Sequence, residues 1–371
     1  MIYLDYSATT PVDQDIFKEY IKNTLLFSGN PNSQHQLGKF CKSKIDYAIA
    51  SVCRVFNCDS DELIFTSCAS ESNATAIRGI ANSFNTAGKH IITSKLEHRS
   101  ILKEVERLTT LGYEVEYVNI LKNGQVDLID LENKIREDTI LISICGVNSE
   151  VGYKQDLYKI REVINKKNNK VIFHSDLTQA LGKINIDLTP LDMASFSSHK
   201  VYAPIGCGLL YKRKNIEIDP LICSTNDNSL FRGGTRALPL IVAFCESIKK
   251  YNNNIENQNK CISLNKLIID RLSKYDIQIN SNEYCIPHII NFSLLRMKSL
   301  DFVRYLDKEK ILVSSTTACC SKKESIILKE LYKDENIYKT SIRLSISHLT
   351  TIEQIDKFFK VFDEIYQKHL K

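Results

Sequence analysis

Short apolar runs and amphipathic stretches follow one another along most of this chain. Apolar runs at residues 63–65, 90–92, 114–118, 139–144, 171–173, 193–196 and 207–211 have the length of buried strands. Between them lie stretches with helical spacing, near 73–84, at Ile101, Leu102, Val105, Leu108 and Leu111, and over about 157–165. Strands alternating with helices imply right-handed crossovers, and so a mostly parallel sheet covered on both faces. Upstream, Tyr3-Leu4-Asp5-Tyr6-Ser7-Ala8-Thr9-Thr10-Pro11 is an extended segment ended by a proline. Helices are predicted over about 12–26 and, capped by Ser33, on to about 56, with Gly29-Asn30-Pro31-Asn32 as the turn between them. Downstream, Asn252-Asn253-Asn254 marks a candidate boundary. A helix to about 274, a strand over 288–293 and a closing helix from near 352 follow it. The pattern predicts an α/β fold with a large domain over 11–251 and a smaller α+β domain made of 1–10 and 252–371.

Composition narrows the function classes. With 371 residues, 43% hydrophobic and 25% charged, the chain is long enough for one large domain and a smaller one. The net charge of +5 is mild and its basic residues are scattered, which argues against a nucleic-acid groove. No apolar run approaches the length of a membrane span. Met1-Ile2-Tyr3-Leu4 enters structure at once, leaving no room for a targeting segment, so a cytoplasmic location is expected. Twelve cysteines in such a chain point to a reducing compartment. There is no Cys-x-x-Cys, and Cys53 and Cys58 are poorly spaced for a metal, so no metal site is assigned.

Candidate chemistry gathers where strands are predicted to end, which is where ligands bind in open α/β sheets. Ser197-Ser198-His199-Lys200 follows an apolar run and leads through Val201-Tyr202-Ala203-Pro204 to another. A lysine hemmed in there would be partly desolvated, favouring the neutral amine that a carbonyl cofactor needs. An ordinary surface lysine is the plainer reading of that residue alone. Asp176 stands at another strand exit, where a carboxylate can hold a pyridinium nitrogen protonated, and Asp with Lys is the protein's main electronic control over pyridoxal phosphate. Thr66-Ser67-Cys68-Ala69-Ser70-Glu71-Ser72 gathers hydroxyls and free N–H groups at a helix start, either a phosphate cradle or a simple cap. His98 could lie flat on a cofactor ring or merely be solvated.

These motifs, in this order, resemble those of the pyridoxal-phosphate-dependent cysteine desulfurases of the class V aminotransferase group. The resemblance extends from Tyr3 to about Phe362 through Phe65-Thr66-Ser67, Glu97-His98, Val147-Asn148, Ser197 to Lys200, and Arg343. It implies a fold-type I large domain, a homodimer, L-cysteine as substrate and a sulfur-acceptor protein as partner. It makes Lys200 the Schiff-base lysine, Asp176 the pyridinium partner, His98 the stacking ring and Gln179 the group at the phenolic oxygen. Ala69, Ser70, Ser197 and His199 would hold the phosphate, with Thr235 contributing across the dimer interface. Asn148 and Arg343 would bind the substrate, Arg343 gripping its carboxylate as a bidentate fork, Ser149 would be among the cofactor-binding residues, and either the freed Lys200 or His98 would move the substrate α-proton. The resemblance places the sulfur nucleophile at Cys319, in the segment Val313 to Lys323, where Lys322 and Lys323 would favour the thiolate. Cys320 could replace Cys319 or resolve its persulfide.

The chain departs from the family pattern at several points. Cys68 and Ser70 stand where many members have Gly and Thr. Ser149 follows Asn148 where a second asparagine, touching cofactor and substrate, is common. Residues 224–231 replace a glycine-rich, Arg-containing segment, and Thr316-Thr317 replaces Gly-Ser. These differences leave open a related pyridoxal-phosphate enzyme with altered substrate, such as a selenocysteine lyase or an aminotransferase-like activity, or a weakly catalytic cofactor-binding partner protein.

Overall fold

The computed structural model describes residues 1–224, 231–315 and 325–369. In chain order its strands are β1 (Ile2–Tyr3), β2 (Leu63–Thr66), β3 (His90–Ser94), β4 (Glu114–Val118), β5 (Thr139–Ser143), β6 (Ile172–Asp176), β7 (Met193–Ser197), β8 (Gly208–Lys212), β9 (Gln278–Ile279), β10 (Ile289–Ser293), β11 (Ile311–Leu312) and β12 (Ser341–Ser345). Its helices are α1 (Gln14–Leu26), α2 (Gln36–Phe56), α3 (Ala69–Ser83), α4 (Arg99–Thr109), α5 (Leu128–Lys134), α6 (Leu157–Lys167), α7 (Leu238–Tyr251), α8 (Ile255–Leu272), α9 (Ser299–Lys308), α10 (Ile326–Tyr332), α11 (Glu335–Tyr338) and α12 (Ile352–His369).

The central sheet has seven strands in the order β2-β8-β7-β6-β5-β3-β4. Only β8 runs against the rest, paired antiparallel with both β7 and β2. The mostly parallel sheet expected from the sequence is therefore present. Neighbouring residues on each strand enter opposite cores. Ile92, Ile142, Phe173, Ala194 and Leu209 pack on one face, and Ile91, Leu141, Ile172, Met193 and Leu210 on the other. Burial on both faces is why these strands read as continuous apolar runs instead of alternating ones. Only β4, at the edge, carries exposed charge, as an edge strand that must avoid further pairing does.

Several boundaries differ from the sequence pattern for local reasons. α1 starts at Gln14 because Asp13 accepts from Asp15 N and Ile16 N. α2 is capped by His35, whose Nδ1 accepts from Gly38 N; Ser33 is held instead in a turn on Asn30. α3 begins at Ala69, before the predicted start, and its N-cap Cys68 offers no capping side chain for a pattern to detect. β6 continues to Asp176 through buried His174, which sits between Ser143 Oγ and Ser195 Oγ of the flanking strands, 2.9 Å from each. Burial holds His174 near pKa 4, so it stays neutral and these two contacts satisfy it.

A second, three-stranded antiparallel sheet has the order β12-β10-β9, and β1 pairs parallel with β11. Ile2, Leu4, Phe292, Phe302, Leu344, Phe358 and Phe362 share a core with α8, α9 and α12.

Gly208 fixes how closely β8 can approach the start of α3. A Cβ there would lie 2.4 Å from the Cys68 carbonyl carbon and 2.5 Å from Thr66 Oγ1. Gly208→Ala must push the β2–α3 turn away, and is expected to cost about 1–3 kcal/mol. Urea unfolding of the variant and the unchanged chain would measure it.

Candidate active site

Because β2, β3, β5, β6 and β7 share one direction, their carboxyl ends open on one sheet edge. Ala69 and Ser70 follow β2, His98 follows β3, Asn148 and Ser149 follow β5, Asp176 and Gln179 end or follow β6, and Ser197 to Lys200 end and follow β7. The chain leaves β7 through a 3-10 turn, Ser198–Lys200. It then passes Tyr202, which takes φ +65°, a left-handed conformation that a bulky side chain adopts only when its surroundings impose it. Those surroundings are visible: Tyr202 N donates to Thr10 Oγ1 at 2.7 Å, and its ring packs on Tyr251 and His348.

Two hydrogen-bonded groups meet there. In one, Lys200 Nζ donates to the carbonyls of Ser7 (2.7 Å) and Ala8 (2.6 Å), and Gln179 Nε2 donates to the same Ser7 carbonyl at 2.9 Å. In the other, Asp176 Oδ1 accepts from Thr178 N (2.9 Å) and Oδ2 from Asn73 Nδ2 (2.8 Å). Asn73 Nδ2 also donates to Ser100 Oγ at 2.9 Å, and Ser100 Oγ lies 2.8 Å from His98 Nδ1. Because His98 Nδ1 accepts from Ser100 N it carries no proton, so the Ser100 hydroxyl, which accepts from Asn73, donates to it. The ring proton is thereby assigned to Nε2. His199 stands apart from both groups, its Nδ1 3.1 Å from Thr9 Oγ1, and burial with the charges of Lys200 and Lys183 holds it neutral, near pKa 4.

Arg343 is 1% exposed. Its Nη2 donates to Asp5 Oδ1 at 2.7 Å and its Nη1 to the Ser149 carbonyl at 2.9 Å, while buried Nε has no partner among the described residues. Asn148 turns inward: Nδ2 donates to Leu96 O, and Oδ1 accepts from Glu150 N and Val151 N. Its amide builds the loop that presents Ser149. Thr235 is exposed and, with Thr66, Ser67, Gly206 and Arg232, lines a cavity of about 340 Å³. A larger cavity, of about 1040 Å³, is bordered by Leu121, Tyr158, Ile186 and Tyr284 and by none of the expected site residues. Cys319, Cys320 and residues 225–230 lie outside the described residues. Several described thiols are held protonated by burial: Cys145 and Cys245 rise well above the usual cysteine range, Cys207 and Cys261 to about 12 and Cys285 to about 11.

Sequence reasoning missed Asn73, Ser100, Asp5 and the Ser7 carbonyl. Except for Ser100, which lies two residues from His98, their partners are far away along the chain, 103 residues in the case of Asn73 and Asp176, and no local pattern reports such a contact.

The family described as Aminotransferase class-V matches residues 2–358. Cysteine desulfurase IscS of Buchnera aphidicola is 36% identical over 367 residues, spanning 96% of this chain and 90% of that protein. This chain belongs to the class-V aminotransferases. Among solved structures, a NifS-like protein aligns with TM-score 0.93 and 30% identity over 99% of both chains. The structure described as SspA in complex with cysteine aligns with TM-score 0.83 and 28% identity, over 95% of this chain and 100% of that one.

Enzymes of this class-V family depend on pyridoxal phosphate, and the residues present fit that group. Asp176 is an acceptor already fixed by two donors, Lys200 offers a primary amine, and the first turn of α3 has no side-chain cap from Cys68. The orphaned Nε of Arg343 is a donor suited to a carboxylate.

Glu97 lies beneath this class-V site. Its Oε1 accepts from Ser94 Oγ (2.6 Å) and Cys145 N (2.9 Å), while Oε2 is buried without a partner among the described residues. Burial, helped by the charge of Asp176, pushes its pKa up to about 8, so it is neutral at pH 7. The folded state then holds a proton that the unfolded state has lost above about pH 4.5, so stability falls as pH rises from there to about 8. Glu150, raised by burial to about 7, adds to the fall. In urea unfolding of the apoprotein, Glu97→Gln is expected to match the parent near pH 5. At pH 8.5 it should exceed the parent by a few kcal/mol, to order of magnitude.

Proposed function

We propose that the protein is a pyridoxal-phosphate-dependent cysteine desulfurase, taking sulfur from L-cysteine, releasing alanine and holding the sulfur as a persulfide for an acceptor protein. The observation that carries this reading is the meeting of Lys200 and Gln179 on the Ser7 carbonyl, on the same sheet edge as Asp176 and His98. The desulfurase relative matching nearly the whole chain, and the cysteine-bound structural neighbour, support the substrate.

When bound, pyridoxal phosphate supplies an electron-withdrawing ring that acidifies the substrate α-carbon. Lys200 would be the amine that secures it and would then be placed to move the α-proton. Asp176, held by Asn73 and Thr178 N, would keep the ring nitrogen protonated. His98, fixed by Ser100, would stack on the ring, and Gln179 would donate to the phenolic oxygen. Ala69, Ser70, Ser197 and His199 take the phosphate, with Thr235 reaching across a dimer interface. Arg343 receives the substrate carboxylate, using its free Nε and giving up part of its bond to Asp5. The Cys319 thiolate forms the new S–S bond as the substrate Cβ–S bond breaks, its electron pair withdrawing toward the substrate carbon, which is protonated before alanine leaves.

The homodimer belongs to the same reading. An exposed apolar face on α1 and α2, with Phe17, Ile21, Leu25, Phe40 and Tyr47, supports it. A cytoplasmic location is also part of this reading, and the ten described free cysteines agree with it. The division into domains at Asn252–Asn254 is supported by the break between α7 and α8. Ser149, in place of the usual asparagine, motivates the alternative of an altered substrate, selenocysteine or an aminotransferase-like reaction, and relative turnover of cysteine and selenocysteine would separate the first of these.

The protein reconstituted with pyridoxal phosphate should be coloured and trapped by borohydride at residue 200, and Lys200→Ala should lose both properties. After cysteine treatment, intact mass should rise by one sulfur atom and alanine should appear. Cys319→Ser, and not Cys320→Ser, should abolish the added mass. Absence of cysteine turnover by the coloured protein would refute the assignment.

A further inference from the structure

Lys183 has no part in the chemistry above, yet it is only 6% exposed, where lysines are seldom found. It stands one helical turn after Gln179, in the loop that leaves β6, and its Nζ donates to Gln179 Oε1 at 3.2 Å. The other end of that amide donates to the Ser7 carbonyl, which also accepts from Lys200 Nζ. Two lysine heads are thus joined through one glutamine side chain and one carbonyl oxygen. A protonated Lys183 has no acceptor and so faces the glutamine oxygen, while the Ser7 carbonyl, which can only accept, faces the N–H end of the same amide; the two contacts together set its orientation, and the charged Lys183 reinforces it.

The charges around Lys183 complete the argument. The titratable groups facing it are Lys200 and His199 from the turn after β7, Cys261 from α8, and His288 just before β10. Among the described residues, none of the groups facing it is a carboxylate. His288 is itself held neutral by burial and by Lys183. Burial first, and the charge of Lys200 second, push Lys183 down to about 7. A buried, unpaired cation is costly to keep, and an apolar side chain of similar length would pack there at less cost.

We propose that Lys183 is a positioning residue: it locks the Gln179 amide with its donors toward the cofactor oxygen, and its charge is set against that of Lys200. The proposal deepens the reading given under Proposed function and rests on it. A proton on one amine disfavours a proton on the other. Lys183 is therefore protonated more readily whenever Lys200 is not a free ammonium.

Two measurements test this. In the apoprotein, NMR of isotope-labelled lysine, with the resonance assigned by its loss in Lys183→Gln, should show Lys183 titrating far below the ordinary lysine range. Its midpoint should move upward in Lys200→Ala. An unmoved midpoint overturns the linkage, and this arm needs no cofactor. In the reconstituted protein, Lys183→Met removes both charge and donor, whereas Lys183→Gln keeps an N–H donor. The Met variant should bind pyridoxal phosphate about tenfold more weakly, with a shifted absorbance band, and the Gln variant should recover most of both. Wild-type affinity and spectrum in Lys183→Met overturn the positioning role; a variant that fails to fold leaves the decision to the apoprotein arm. If the unchanged protein never takes up the cofactor, the function reading fails, and the apoprotein titration still reports on the coupled amines.

Discussion

The first ten residues hold the site together by running backbone through a place that excludes water. Ile2 and Tyr3 pair with β11, Asp5 binds Arg343, and Ser7 N donates to Ser345 Oγ. The carbonyls of Ser7 and Ala8 then receive Lys200, and Thr10 N and Oγ1 both donate to His199 O. Buried carbonyls need donors, and a half-buried ammonium needs acceptors, so each requirement is met by the other. One segment thereby ties the small sheet to the turn that carries the reactive lysine, and a shift at either end would be felt at Nζ.

The central sheet supplies the rigidity this arrangement needs. With apolar layers on both faces, its strands cannot slide without exposing one core or the other. The residues at their carboxyl ends inherit that fixity. Polar groups next to the site are braced by further polar groups in place of solvent: Asn73 behind Asp176, Ser100 behind His98, Lys183 behind Gln179. Such supporting bonds hold reacting groups close to the geometry that the chemistry requires.

What could be read from the sequence follows from this division. Apolar runs such as residues 139–144 and 193–196 announce buried strands directly, because burial on both faces leaves no polar alternation to confuse them. The start of α3 was misjudged because Cys68 gives no capping signal, and β6 was cut short because His174 and Ser175 look like a loop until the hydroxyls of β5 and β7 are seen beside them. Lys200, Asp176 and Gln179 were legible as strand-exit residues, and most of their roles came from family resemblance. Their supporting partners were hidden, since a contact such as that of Asn73 with Asp176 exists only after folding. Asn148, which the resemblance places at the substrate, uses its amide to shape the loop that presents Ser149, a role that no local pattern announces.

The protected thiols inside the fold have a chemical consequence for an enzyme that carries sulfur. Exchange between a bound sulfane atom and a neighbouring cysteine proceeds through the thiolate, and Cys145, Cys207, Cys245 and Cys261 are almost wholly protonated at neutral pH. The interior is therefore a poor sink for the cargo. Sulfur leaving the substrate would pass these four buried thiols by, which favours its transfer outward.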